Sequence, residues 1–331
     1  MIFKFLSFFK EQLSVQQICR HQNPVNKQPT TFLNFVAMAS HGLSPSTVDN
    51  YLTAIRSFIK FQEGKDVPLS LITADIVRQY ELWLQKENIR PNTSSCYMRS
   101  LRAIYNKAVR RRRIKNRHPF CRAFTGNDKT TKRSIGKADI LKIRGLQVAE
   151  KDVSLEFSRN LFLFSFYALG MPFVDMAHLK KNQIKNGWLT YRRRKTGKII
   201  RVHIESCMTV ILEKYANMGG EYVFPIISSK SITDAQRHHN VSLKLAKYNR
   251  DLKKIAKDAG ISVSLSSYVA RHSWASIAYK ESVDLPIISK ALGHTDTATT
   301  RIYISEIDDE RVEKANKWVL FSILSSPLAK R

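Results

Sequence analysis

Apolar residues recur every three or four positions through most of this 331-residue chain, and alternate at every second position in one short region only. A period near 3.6 buries one face of a helix, and a period of two buries one face of a strand. The pattern therefore commits the chain to helices. Ser44-Pro45-Ser46-Thr47 opens the first clear one with good capping chemistry. Val48, Tyr51, Leu52, Ile55, Phe58 and Ile59 follow at helical spacing. A second helix starts near Thr73 and buries Ile76, Tyr80, Trp83 and Leu84. A third starts at Asn92-Thr93 and carries Tyr97, Leu101, Ile104, Tyr105 and Ala108. The polar faces are basic, with Arg56, Lys60, Arg99, Arg102 and Lys107. The third helix runs into Arg110-Arg111-Arg112-Arg113, then Lys115 and Arg117. Pro119, Gly126, Asn127 and Asp128 mark a boundary, and Lys129 to Arg133 is a second basic run.

Beyond about Ile135 the helical pattern resumes. Ala138 to Leu146 reads as one helix. Ser154 is expected to cap a longer one through Phe157, Leu161, Phe164 and Tyr167, ending at Gly170. Apolar residues all round this helix predict deep burial. Pro172 opens a helix with Phe173, Val174, Met176 and Leu179. The strand pair comes next: Trp188 to Tyr191 and Ile199 to Ile204 flank a turn at Thr196-Gly197. Cys207 to Asn217, Val241 to Ala259 and Glu310 to Leu320 read as further helices. The expected fold is mainly α with a small β-hairpin or sheet, in two domains.

Charge narrows the partner. The chain carries 55 Lys and Arg against 27 Asp and Glu, a formal net charge of +28. Such an excess suits a polyanion, either nucleic acid or an anionic membrane. The longest apolar run, Leu161 to Val174, is broken by Ser165, Gly170 and Pro172 and is too short to span a bilayer. Lys4, Lys10 and Glu11 interrupt the apolar start, so no signal peptide is expected. Cys19, Cys96, Cys121 and Cys207 are scattered, without zinc-type or disulfide-type spacing. His238-His239 lacks an acidic neighbour and reads as polar surface. No cofactor is expected, and the setting is a reduced cytoplasm in association with the nucleoid.

Chemistry gathers between Leu265 and Ser305. Arg271 lies on a helix with Trp274, Ile277 and Ala278. Pro286 suits the first turn of the next helix, and Gly293 its C-terminal stop, so His294 sits just past a helix end. Asp296-Thr297 offers a cap for a helix carrying Tyr303. A phenol with a pKa near 10 is a poor nucleophile unless cations surround it. The planar fork of Arg271 suits two oxygens of a phosphodiester, and His294 can add a hydrogen bond to the same group. These residues together suit phosphoryl transfer to Tyr303. Singly, Arg271 also suits a salt bridge, His294 a helix cap and Tyr303 a core position.

The set resembles the tyrosine recombinase or phage-integrase family, including its bacterial site-specific integrases and DNA invertases. The family carries His-x-x-Arg-His, then Leu-Gly-His, then a tyrosine nine residues on. Ala270-Arg271-His272, Leu292-Gly293-His294 and Tyr303 match those blocks, with Tyr268 in place of the first histidine. Arg194-Lys195-Thr196-Gly197 resembles the family's β-hairpin, which sets a lysine in the minor groove. The resemblance implies a nucleophile at Tyr303, phosphate binding by Arg271 and His294, a general acid at Lys195 and assistance from Tyr268. It also implies a 3′-phosphotyrosyl link that makes rejoining independent of metal or nucleotide.

One element of the family pattern is missing. Its first arginine falls on Pro172, or in some relatives on Leu169. His178, Lys180 and Arg194 are the nearest cations by sequence. A catalytically weakened or inactive DNA-binding protein is therefore the alternative reading. The resemblance divides the chain into an N-terminal arm or linker (1–30), a helical core-binding, SAM-like domain (31–117), a basic linker (118–134) and a catalytic domain (135–331), together forming a DNA clamp. It implies a homo-oligomer on double-stranded DNA, as a tetrameric synapse, with accessory DNA-bending proteins as possible partners. Arg99, Arg102, Lys107, Arg110, Arg111, Arg112, Arg113 and Arg194 are the expected DNA contacts. If both domains grip the backbone, log K for duplex DNA falls against log salt with a slope of about −5 to −9, from roughly 6–10 neutralised phosphates. Changing Arg110 to Arg113 to alanine is expected to flatten that slope in a salt titration; an unchanged slope would leave the run as solvated surface.

Overall fold

Helical period and cap chemistry produce the elements that the computed structural model describes, over residues 30–40, 42–128, 133–227, 233–294, 300, 313, 316, 317 and 320. The chain divides into two compact units, residues 1–130 and 131–331.

The first unit holds four α-helices among the described residues: α1 (Phe32–Ala39), α2 (Pro45–Phe61), α3 (Ala74–Lys86) and α4 (Pro91–Arg110). Three begin on side-chain caps, where Thr31, Ser44 and Thr73 accept from the amides of Asn34, Thr47 and Ile76. The α1 helix is an addition to the sequence-based reading. Its Phe32 packs edge-on against Phe58, and Phe58 in turn against Tyr80. The segment after α4 folds back onto it. Phe120 joins the core, Ser95 Oγ donates to Gly126 O at 2.5 Å, and Asp128 N donates to Asn92 Oδ1 at 2.7 Å.

The second unit is built around α6 (Val153–Tyr167), which packs against α5 (Lys137–Gly145), α8 (Ser206–Tyr215), α9 (Asp234–Asp258) and α10 (Val269–Lys280). Leu161, Phe162, Leu163 and Phe164 are buried in succession, as expected of a helix covered on all sides. Its buried polar groups are paired. Ser158 Oγ donates to Asp251 Oδ2 at 2.7 Å, and Asn160 Nδ2 to Tyr215 Oη at 2.9 Å. Asp152, not Ser154, caps this helix; the Ser154 hydroxyl bonds to Asp251 instead. The α9 helix starts at Asp234, before the expected Val241, on a capping box of Thr233 and Gln236. His238 and His239 therefore lie on this helix.

The sheet is antiparallel, in the order β1 (Ile184–Lys185), β2 (Trp188–Arg192), β3 (Ile199–His203). Its β2–β3 register pairs Leu189 with Val202 and Tyr191 with Ile200, all four buried. The expected hairpin is thus present, with a two-residue third strand added. Short α7 (Phe173–Ala177) precedes the sheet, and α11 (Leu285–Leu292) follows α10.

The α6–α7 connection brings backbone against α10. Leu169 and Gly170 both have positive φ, at 57° and 69°. Ser165 locks the turn, with its hydroxyl donating to Met171 O at 2.7 Å and its carbonyl accepting from Met171 N at 3.0 Å. A Cβ on Gly170 would meet Arg271 Cα at 2.7 Å. Both conformation and space therefore require glycine here. Gly170→Ala is expected to cost about 2–4 kcal/mol in denaturant unfolding, combining left-handed strain with overpacking against backbone. A loss below about 0.5 kcal/mol, the range of neutral surface changes, would refute this close approach.

Candidate active site

The end of α11 is the centre of the site. Pro286 sits in the first turn of this helix, and Gly293 ends it in the left-handed conformation at φ 64°. A helix end leaves carbonyls without intrahelical partners. Here the Leu292 carbonyl accepts from two buried guanidinium groups. Arg193 Nη1 donates to it at 2.6 Å, and Arg271 Nη2 donates to the same oxygen. Cations are favoured at this negative end of the helix dipole. Arg271 also donates through Nη1 to Gly170 O at 3.0 Å.

His294 emerges directly behind this end. Its amide donates to Ser289 O at 3.0 Å. Its Nε2 lies 3.1 Å from Arg271 Nη2, and its Nδ1 lies 2.8 Å from Thr300 Oγ1. Arginine has only donors, so Nε2 accepts; the ring proton sits on Nδ1 and is donated to Thr300. Burial, followed by the positive charges of Arg271, Arg193, Lys195 and Lys198, pushes the His294 pKa down to about 4. The ring is neutral in this state.

The β2–β3 connection lies alongside. Lys198 Nζ donates to His294 O at 2.5 Å, and Thr196 Oγ1 to Gly293 O at 3.4 Å. Lys195 is exposed at the turn, with no hydrogen bond among the described residues. Arg194 is also exposed, while its amide donates to Asp175 Oδ1 at 3.0 Å. Asp175 Oδ2 pairs with Arg193 Nε at 3.4 Å, both side chains 4% exposed.

The structure therefore brings Arg271 and His294 into contact and sets the lysine-bearing turn beside them. Tyr268 stands apart from Arg271's buried face: it precedes α10 as its N-terminal cap, is 42% exposed, and its ring lies 5.7 Å from that of His272. Tyr303, its expected cap Asp296-Thr297 and most of 310–320 lie outside the described residues. The other expected DNA contacts belong to α4 and its C-terminal end. Arg99 donates to Asn127 Oδ1 at 3.3 Å, and Arg102 is half-buried. Lys107 lies over the Tyr51 ring and Arg111 over the Phe35 ring. Arg110, Arg112 and Arg113 are exposed.

Sequence reasoning missed Arg193. Of the cations weighed instead, His178 bonds to the Val174 carbonyl at 2.9 Å and Lys180 pairs with Glu221 at 2.8 Å. The missed signal was strand alternation: Leu189, Tyr191 and Arg193 share the inward face, while Arg192 and Arg194 point out.

Residues 143–310 match the phage integrase family, and residues 30–125 match the phage integrase SAM-like domain. The chain belongs to the phage integrase family. As a member it is a tyrosine recombinase, an enzyme of site-specific DNA strand exchange. It is 24% identical over 292 residues to the tyrosine recombinase XerD of Listeria monocytogenes serotype 4b (strain F2365), covering 82% of this chain and 91% of that protein. Its fold is similar to that of a lambda integrase tetramer bound to a Holliday junction, with TM-score 0.60 and 17% identity over 86% of this chain and 80% of that one. It is also similar to the Tn1549 transposon integrase in complex with transposon right end DNA, with TM-score 0.62 and 12% identity over 88% of this chain and 100% of that one. These two likenesses speak for the fold. Among the described residues no helix is long and apolar enough to cross a membrane, and no group of three metal-ligating side chains is present.

The state of His294 has a pH consequence. Its folded pKa, about 4, lies below the ordinary histidine value of 6.5, so the unfolded chain binds the extra proton first. The stability tied to this group is complete above pH 6.5 and is lost as pH falls from there towards 4. His294→Gln is expected to flatten the stability profile in that window, by about 1.4 kcal/mol per pH unit at the steepest. Coincident wild-type and variant profiles from denaturant titrations would contradict the buried neutral ring.

Proposed function

We propose that this recombinase cleaves duplex DNA through attack of the Tyr303 hydroxyl on the scissile phosphate. The phenol oxygen bonds to phosphorus, the bond to the 5′ oxygen breaks, and a 3′-phosphotyrosyl link results. The phenolic proton passes to solvent. Lys195 gives a proton to the departing 5′ oxygen. Arg271 and His294 hold the phosphate as charge develops on it, and Tyr268 assists from the start of α10. A 5′ hydroxyl from a second strand reverses the step and rejoins DNA without a cofactor. The observation that carries this reading is the buried contact between Arg271 and His294 at the end of α11, 3.1 Å apart.

An arriving phosphodiester offers Arg271 a charged acceptor in place of a backbone carbonyl. Its negative charge also raises the basicity of His294, which allows Nε2 to donate rather than accept. Lys195, exposed at the turn and without a hydrogen bond among the described residues, suits proton delivery better than Lys198, which is held on the His294 carbonyl. The α4 arginines supply contacts to the DNA backbone from the core-binding domain. The tetramer reported for lambda integrase supports an assembly of several copies on DNA. The work is intracellular, at the nucleoid, and takes the form of integrating, excising or inverting a segment.

Tyr303→Phe removes one oxygen and little packing. It is expected to abolish the covalent adduct on a nicked suicide duplex while leaving DNA affinity within about threefold, less than the ~1.4 kcal/mol of a tenfold change. An adduct formed by Tyr303→Phe would exclude Tyr303 as nucleophile. A wild-type protein that binds its site without forming any adduct would instead be a DNA-binding member that cuts nothing, the reading that Pro172 favours.

A further inference from the structure

The family position for a first arginine holds Pro172, which is the N-cap of α7 with φ −64° and offers no charge. The carboxylate one turn later, Asp175, is nonetheless buried and paired with a guanidinium. That guanidinium arrives from another element. We propose that Arg193, from the β2–β3 connection, is a catalytic residue that supplies the second arginine of the phosphate site, contacting a non-bridging oxygen of the scissile phosphate beside Arg271. This rests on the recombinase reading above.

Three observations lead to it. Arg193 and Arg271 donate to one oxygen, that of Leu292, so their terminal nitrogens are immediate neighbours. A phosphate reaching one guanidinium therefore reaches the other. Second, Arg193 is only partly used. Its Nε faces Asp175 and its Nη1 faces Leu292 O, while Nη2 has no hydrogen bond among the described residues. A guanidinium fixed through two of its nitrogens, with the third unspent among the described residues, is oriented for an incoming anion. Third, its position is tightly determined. Its amide donates to Lys198 O at 2.8 Å, and its carbonyl accepts from Gly197 N at 2.8 Å. Its Cδ lies so close to Gly293 that a Cβ there would approach it to 2.8 Å. A donor held this firmly needs no reorganisation when charge develops on the phosphate, the property that transition-state stabilisation requires.

The competing account is purely structural: Arg193 neutralises Asp175 and caps α11, and never meets DNA. The two accounts differ in their dependence on the charge of the substrate. The full chain is assayed for single-turnover adduct formation on a nicked suicide duplex, carrying the site that the protein selects from a random-sequence pool. One version has an ordinary scissile phosphodiester. The other has a methylphosphonate there, in which a methyl group replaces one non-bridging oxygen and removes the charge. Arg193→Ala is expected to slow adduct formation about 10²–10³-fold on the phosphodiester, and less than about tenfold on the methylphosphonate. Arg193→Lys retains charge without the fork and is expected to fall between wild type and Arg193→Ala on the phosphodiester. Equal slowing on both substrates, or no slowing on either, would overturn the proposal. If Arg193→Ala melts before the assay temperature, the same comparison between substrates is made with Arg193→Lys. Absence of adduct from the wild type on both substrates would overturn the recombinase reading, separately from the role of Arg193.

Discussion

A single carbonyl oxygen, that of Leu292, organises the site. Helix α11 ends at Gly293 and leaves this oxygen without an intrahelical partner. Two arginines from distant parts of the chain, one on α10 and one after β2, meet upon it. An unpaired buried carbonyl would be costly, and so would two buried guanidinium groups without acceptors. Each satisfies the other. The contact also fixes where His294 begins, because the histidine is the second residue beyond that carbonyl. The helix dipole makes this end a good place for cations before any substrate is present.

Most helices were legible where an apolar period met a cap; α1 has both, in Thr31 and in Phe32, Phe35, Val36 and Ala39, but its eight residues follow directly on the Pro24 to Pro29 stretch that reads as a linker. Ser44, Thr73, Pro286 and Gly293 all act as their chemistry implies. Elsewhere an element was missed or begun late where one of those two signals was weak. Strand β1 is two residues long and has no room to show a period. Helix α9 begins with solvated turns, so apolar spacing found it only from Val241; the Thr233–Gln236 capping box was the available clue. Asp152 and Ser154 are both good caps, and spacing alone did not separate them. Tyr268 is the cap of α10, one residue before the helix that carries Arg271.

The site was half legible for a related reason. Arg271 and His294 carry recognisable neighbours at definite spacings. Arg193 sits in a run of basic residues, Arg192-Arg193-Arg194-Lys195, where composition makes the four look alike. Only the pleat distinguishes them, by turning one inward. Its partners, Asp175 and the Leu292 carbonyl, lie 18 and 99 positions away in the chain and are joined to it by tertiary structure alone.

The neutral His294 ring makes the free site a proton acceptor in waiting. It is held uncharged by the same cations that would greet a phosphate. If the scissile phosphodiester binds here as proposed, it offsets those cations and makes the ring easier to protonate, and a protonated ring, in turn, holds the phosphate more tightly. Thermodynamic linkage makes these two effects equal in free energy. On that proposal proton uptake and substrate capture are one coupled event, and acidity of the medium would act on the site as an allosteric ligand does.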